Sequence, residues 1–259
     1  MTSTVQTPEI LADIAASPVL GVRVHHVTMP QAVQAVRRML AAGGAHQIVT
    51  ANGVMLVRAA RDEQVRRALS NAALVIADGA GVVLAARILG RPVFARVPGV
   101  ELVQELCARA AIEQWRVFLL GAAPGVAADA AVVLRQQYPG LQVAGVTHGY
   151  FADESTVIEE IRQAKPDLMF VALGFPRQDL WIASHRDRLG VPVCIGVGGT
   201  LDVLAGRVRR APRLIQQIGL EWAFRLIQEP RRWRVVISLP LLVALALKER
   251  VKERWTGRR

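Results

Sequence analysis

Residues 167–173 (DLMFVAL) run directly into residues 174–178 (GFPRQ). After Asp167 the first stretch is wholly apolar, without the alternation of a half-solvated strand. It reads as a strand buried on both faces, as in a parallel sheet. The second stretch opens on glycine and puts Pro176 at the first turn of a helix, where a missing N–H costs little. Together they form one strand–turn–helix unit.

The same unit recurs outward from this point. On the N-terminal side, residues 154–164, 125–138, 99–112 and 79–89 read as helices. Residues 141–147, 115–121 (WRVFLLG) and 73–77 (ALVIA) read as short buried strands. Residues 52–70 suit a helix broken near Asp62. Residues 46–51 suit a strand, a helical stretch starts at Pro30 and reaches about residue 42, and residues 22–27 form another strand. On the C-terminal side a helix over 176–185 leads to the strand 191–196 (VPVCIG). Strand–helix alternation predicts an α/β fold, Rossmann-like and doubly wound, with a mostly parallel sheet and a helical C-terminal appendage. The expected division is a flexible arm over 1–18, an α/β catalytic domain over 19–205, and a basic, apolar appendage over 206–259.

Charge separates the last two. The net charge is +11 over 259 residues. Residues 206–259 carry 14 Lys and Arg against four Asp and Glu, so the body is nearly neutral. Such a tail seeks phosphate groups, in an anionic lipid, a diphosphate ligand or nucleic acid. Residues 235–247 (VVISLPLLVALAL) are almost wholly apolar but fall short of the roughly 20 residues that span a bilayer. Flanked by Arg, Lys and Trp, they suit a helix lying in a membrane interface, and equally a helix docked on protein. Aromatic and basic residues that flank an apolar run do not form a groove-reading module, so no nucleic-acid partner is expected. Residues 1–18 have neither the basic start nor the apolar run of a secretory signal. Two cysteines, Cys107 and Cys194, sit in apolar segments without a CxxC spacing. They fit core positions in a reducing cytoplasm rather than a disulfide framework.

Polar residues at strand ends are the candidates for chemistry. Thr50 and Asn52 close the strand over 46–51. Asp78 follows ALVIA and precedes Gly79 and Gly81, which suits a general base beside an approaching ligand; it equally suits an N-cap. In GFPRQ, Gln178 can hydrogen-bond a sugar and Arg177 can meet a phosphate, or both can belong to an ordinary βα turn. Residues 196–200 (GVGGT) and 121–125 (GAAPG) can present backbone N–H groups to a diphosphate, though neither is a full dinucleotide fingerprint. The five histidines show no ligand spacing and no Asp-x-Asp occurs, so no metal and no cofactor is expected. His25 and His26 read as strand residues.

Seven segments, in their order and spacing, resemble the WecG/TagA/CpsF glycosyltransferases: TANGVMLVRAARD, ADGAGVVLAARILG, RVPGVEL, FLLGAAPGV, PDLMFVALGFPRQDLWI, GVGGTLDVLAGRVRRAP and GLEWAFRLIQEPRRW. That family includes mannosaminyltransferases of teichoic-acid and enterobacterial common antigen synthesis, and a xanthan-type glucosyltransferase. The resemblance implies an inverting, metal-independent transfer from a UDP-sugar to an undecaprenyl-diphosphate-linked acceptor in cell-surface polysaccharide synthesis. The enzyme would sit peripherally at the cytoplasmic face of the cell membrane, and self-association into a homo-oligomer would be expected. The donor stays open between N-acetylmannosamine, its uronic acid and glucose. By position, the resemblance implies Asp78 as catalytic base, Thr50 and Asn52 as pocket residues, Arg96 as a contact for acceptor or diphosphate, and Gln178 at the sugar. Arg225 and Arg232 would close over the diphosphate. The chain departs from the family pattern at Glu101, where Asp is frequent, at Val235, where a further basic residue is frequent, and at Gly53, where Pro occurs.

Overall fold

Strands β1 (Ala16–Val19) and β2 (Val22–His25) form an antiparallel hairpin. After helix α1 (Met29–Ala42) come β3 (His46–Ala51), α2 (Gly53–Ala59), α3 (Glu63–Ser70), β4 (Leu74–Ala77), α4 (Ala80–Leu89) and α5 (Gly99–Glu113). Next are β5 (Arg116–Gly121), α6 (Val126–Gln137), β6 (Gln142–Thr147), α7 (Glu154–Ala164), β7 (Leu168–Ala172), α8 (Arg177–Leu189), β8 (Val193–Gly196) and α9 (Thr200–Leu204). Helices α10 (Glu221–Gln228) and α11 (Trp233–Thr256) follow. This computed structural model describes residues 10–92, 95–212, 214–215, 221–228 and 233–256, with residues 222, 225, 228 and 233–237 described by backbone alone.

The six longer-range strands make one sheet in the order β4-β3-β8-β7-β5-β6, and every neighbouring pair is parallel. Successive residues of a strand point to opposite faces, and here both faces are covered. Ile48, Ile76, Leu119, Phe170 and Ile195 pack under α1, α5, α6 and α9. On the other face Val49 and Val75 meet α2, α3 and α4, while Phe118, Met169 and Cys194 meet α7 and α8. The doubly wound sheet expected from continuous apolar runs is therefore what forms. Edge strand β6 differs, being only partly buried along most of its length.

Local polar residues place the helix boundaries. The Asn52 side chain accepts from Val54 N and Met55 N and starts α2. Asp62 accepts from Val65 N, so the expected break becomes a boundary between α2 and α3. The hairpin was not legible from the turn signals. Its turn residues Leu20 and Gly21 both have positive φ, of 51° and 77°, a geometry normally marked by Asn-Gly. Leu20 is buried in the core, which offsets the strain of a leucine there. The hairpin takes up residues 16–18, which had been expected in a flexible arm. It covers the open edge of β4: His25 Nδ1 accepts a hydrogen bond from Val75 N at 3.0 Å, so the ring is the neutral tautomer protonated on Nε2.

The apolar run over 235–247 lies within α11, with Pro240 inside the helix. One face of the run packs on the domain rather than in a membrane interface. Leu242 and Ala246 are fully buried, and Leu239 and Leu245 are partly buried beside them. The approach is close because two glycines permit it. A Cβ at Gly53 would stand 3.1 Å from Leu242 Cδ2, and one at Gly81 3.2 Å. Further along, Arg91 pairs with Glu249 at 2.9 Å and with Glu253, and Arg250 Nη1 donates to Ile88 O at 2.7 Å.

Two expectations follow. Leu242→Ala should destabilise the protein by about 2–5 kcal/mol, as buried leucine truncations do, and should speed proteolytic cleavage within α11. A midpoint in urea equal to that of the parent would contradict the docking. Burial also pushes the His25 imidazole down to about 4. The unfolded chain then binds the extra proton between the ordinary histidine value of 6.5 and about 4. Stability is full above that window and is lost as pH falls through it. His25→Gln should make denaturation midpoints less steep in pH across the window; an unchanged slope would remove His25 as a cause.

Candidate active site

Ligands of open parallel sheets bind outside the carboxyl ends of the strands. A cavity of about 530 Å³ opens there, at the ends of β3, β4, β7 and β8. Five of the candidates, Thr50, Asn52, Asp78, Arg96 and Gln178, line it. The loop over 196–200 contributes Val197 to Thr200, and α11 closes one side with Ser238, Leu239 and Leu242.

Asp78 is not the N-cap of α4; Gly79 holds that position without a side-chain bond. Its Oδ1 accepts from Gly99 N, the first residue of α5, at 2.9 Å. The carboxylate satisfies a backbone N–H that the helix itself leaves unpaired, and a helix N-terminus favours a negative charge. The carboxyl group is therefore oriented by an element far off in sequence, while remaining on the cavity wall.

Thr50 is buried, and its Oγ1 donates to Gly196 O at 2.8 Å, tying the end of β3 to the end of β8. Its hydroxyl proton is thus engaged in holding the cavity floor. Asn52 uses Oδ1 to cap α2, which leaves its amide nitrogen as the group that can donate to a ligand. Gln178 is buried, and its Oε1 accepts from Gly198 N at 2.9 Å. That bond fixes the amide orientation and reserves Nε2 as donor. Gly196 leaves room for these side chains: a Cβ there would stand 2.8 Å from Gln178 Nε2 and 3.0 Å from Asp179 Oδ1, so they would have to shift. Asp179, next to Gln178, is 1% exposed. Burial pushes its carboxyl up to about 7, against the opposing pull of the Gln178 amide and its own backbone N–H.

Some expected residues lie elsewhere. Arg177 donates to Gly149 O at 3.0 Å and stacks over Phe151, with its guanidinium carbon 5.0 Å from the ring centroid. It is not among the cavity residues. The loop over 121–125 is also outside the cavity. Gly121 instead packs against the backbone of Ala172, where a Cβ would come within 2.4 Å. Arg232 lies outside the described residues, and Arg225 is on α10 with its side chain undescribed. Cys107 and Cys194 are buried in the core as expected, and burial pushes both thiols up to about 12. Among the described residues no cluster of three or more His, Cys, Asp or Glu could hold a metal.

Sequence reading missed Arg210 and Glu221, which also line the cavity. Arg210 sits in the loop after α9, and Glu221 starts α10. Arg96 Nη2 is 3.4 Å from Glu221 Oε2, and Arg210 Nε is 3.7 Å from Glu221 Oε1. Arg210 Nη2 also pairs with Glu101 at 2.6 Å. Both residues lie within segments already matched to a family, but neither follows a strand, which was the signal used to choose candidates.

A cavity lined by a positioned carboxylate, amide donors and guanidinium groups suits proton removal from a hydroxyl beside an anionic leaving group. Comparison with known proteins gives the same direction. The chain is 36% identical over 213 residues to an N-acetylglucosaminyldiphosphoundecaprenol N-acetyl-beta-D-mannosaminyltransferase of Bacillus spizizenii, covering 81% of this chain and 83% of that protein. It is 34% identical over 249 residues to a protein of the same description from Staphylococcus aureus, covering 95% and 98%. A family model described as the glycosyl transferase WecG/TagA/CpsF family matches residues 17–256. That match takes in the sheet, the cavity and the helices that close it, and the chain belongs to this family of glycosyltransferases.

Proposed function

We propose that the chain transfers N-acetylmannosamine, with inversion, from UDP-N-acetylmannosamine to the N-acetylglucosamine of an undecaprenyl-diphosphate-linked acceptor. The choice of sugars rests on the names of the similar proteins. The mechanism rests on one observation above all: Asp78 stands at the carboxyl end of β4 on the cavity wall, oriented by Gly99 N.

In this reading the acceptor hydroxyl attacks the anomeric carbon of the donor and its proton passes to Asp78. The bond from that carbon to the diphosphate oxygen breaks, and UDP departs with the electron pair. Gln178 Nε2 and the Asn52 amide orient the sugar, and Thr50 keeps the floor in place. Arg96 meets the developing charge together with Arg225 and Arg232 of the appendage, so that cationic side chains rather than a metal stabilise the leaving group. Docking of α11 over the cavity mouth limits access of water to the donor.

The same reading puts the enzyme peripherally at the cytoplasmic membrane face, where a polyprenyl acceptor resides. Among the described residues no helix is long and apolar enough to cross a membrane. The outer side of α11 supports surface contact instead. Leu247, Val251 and Trp255 recur every fourth residue at 49%, 55% and 88% exposure, beside Lys248 and Lys252. Apolar area next to cationic charge is the combination that holds an interfacial helix.

The deciding assay incubates the purified protein with radiolabelled UDP-N-acetylmannosamine, its uronic acid or UDP-glucose, and a synthetic polyprenyl-diphosphate N-acetylglucosamine. Label should pass from the first donor; preference for another would overturn the sugar assignment. Asp78→Asn should lower kcat at least about a hundredfold with the fold intact, whereas near-parental turnover would dismiss Asp78 as the base. Replacing Leu247 and Trp255 together by Ser should weaken sedimentation with anionic liposomes several-fold, by roughly the apolar area removed. Equal sedimentation would move the contact elsewhere.

A further inference from the structure

The cavity holds an ion-pair cluster of which the proposed transfer step uses only Arg96. Arg96 and Arg210 approach a single carboxylate, Glu221, from two sides, at 3.4 and 3.7 Å. Charge-assisted N–H···O bonds normally close to about 2.7–2.9 Å, so Glu221 fits this pair loosely. Arg210 Nε is buried and makes no hydrogen bond within the described residues. A buried cationic donor left in that state is unfavourable, and an oxygen nearer than Glu221 Oε1 would relieve it.

The other end of the same guanidinium is firmly held. Glu101, on α5, accepts from Arg210 Nη2 at 2.6 Å. Its anchoring leaves the Nε edge at the cavity, facing Glu221. Glu221 belongs to α10, between the core and α11, so the carboxylate that meets both arginines is carried by the appendage and not by the sheet.

We infer that Arg210 is a further anion-binding residue, which with Arg96 forms a two-guanidinium site for the diphosphate of the nucleotide. Glu221 occupies that site in the empty enzyme and is displaced when the nucleotide enters. A diphosphate offers several oxygens across two centres where a carboxylate offers two on one, so it can approach both forks at once. Its entry would release Glu221 and so loosen one tie between α10 and the core as the donor binds. The inference rests on the cavity being the nucleotide-sugar site proposed above, but not on which sugar is transferred.

The test is calorimetric binding of UDP, inorganic pyrophosphate and uridine, without acceptor, to the full-length protein. Arg210→Ala should weaken UDP and pyrophosphate at least about tenfold, the loss expected for one charge-assisted bond, and leave uridine unchanged. Arg210→Lys, which keeps the charge without the fork, should fall between. Glu221→Gln should bind pyrophosphate tighter than the parent, because no carboxylate competes. Thermal melting checks that each variant is folded. UDP affinity unchanged in a folded Arg210→Ala protein would overturn the role of Arg210, and weaker pyrophosphate binding by Glu221→Gln would overturn the displacement. Either result leaves the glycosyl-transfer reading standing. Arginine-dependent pyrophosphate binding without sugar transfer would do the reverse. A parent protein that binds neither UDP nor pyrophosphate would remove both.

Discussion

A parallel sheet buried on both faces leaves little room for polar side chains along its strands, and the cavity follows from that constraint. Apart from His46 and Gln47 at the start of β3, the buried strands are mainly apolar, and the polar groups that line the cavity come where the chain leaves the sheet. Thr50, Asn52, Asp78 and Gln178 all stand at or just beyond strand ends. Because all six strands run the same way, those ends share one edge. Residues separated by more than a hundred positions, such as Thr50 and Gly196, come within a hydrogen bond of each other there.

Each polar side chain at that edge is held by a bond to the fold. Asp78 meets the first N–H of α5, Asn52 caps α2, Thr50 ties β3 to β8, and Gln178 holds the Gly198 amide. These bonds determine which atoms remain to face the cavity. They cost nothing extra at binding, because the groups are already oriented when a ligand arrives.

The appendage completes the cavity by packing rather than by charge alone. Gly53 and Gly81 let Leu242 approach the backbone of α2 and α4, and Ser238 and Leu239 then form part of the wall. The apolar character of residues 235–247 thus serves the domain on one side. Further along the same helix, Leu247, Val251 and Trp255 keep apolar surface on the outside. A helix needs several apolar residues per two turns to bury one face; α11 carries enough for two contacts, and its composition alone does not separate them.

The sequence by itself marked the six strands of the sheet, and a seventh that pairs in the hairpin, because short apolar runs between helical stretches have few other uses, and strand ends marked Thr50, Asn52, Asp78 and Gln178 as candidates. It also separated a nearly neutral body from a cationic tail, since charge is countable without coordinates. The β1–β2 hairpin escaped because its turn uses a leucine at positive φ, stabilised by burial that no local signal records. Only the tertiary structure decided that Asp78 is held by Gly99, that Arg177 turns away to Phe151, and that Arg210 and Glu221 reach the cavity. Those outcomes depend on which strand ends and helix termini become neighbours. Contacts between distant segments are set by the strand order and the packing of both faces together, and no window of residues contains that information.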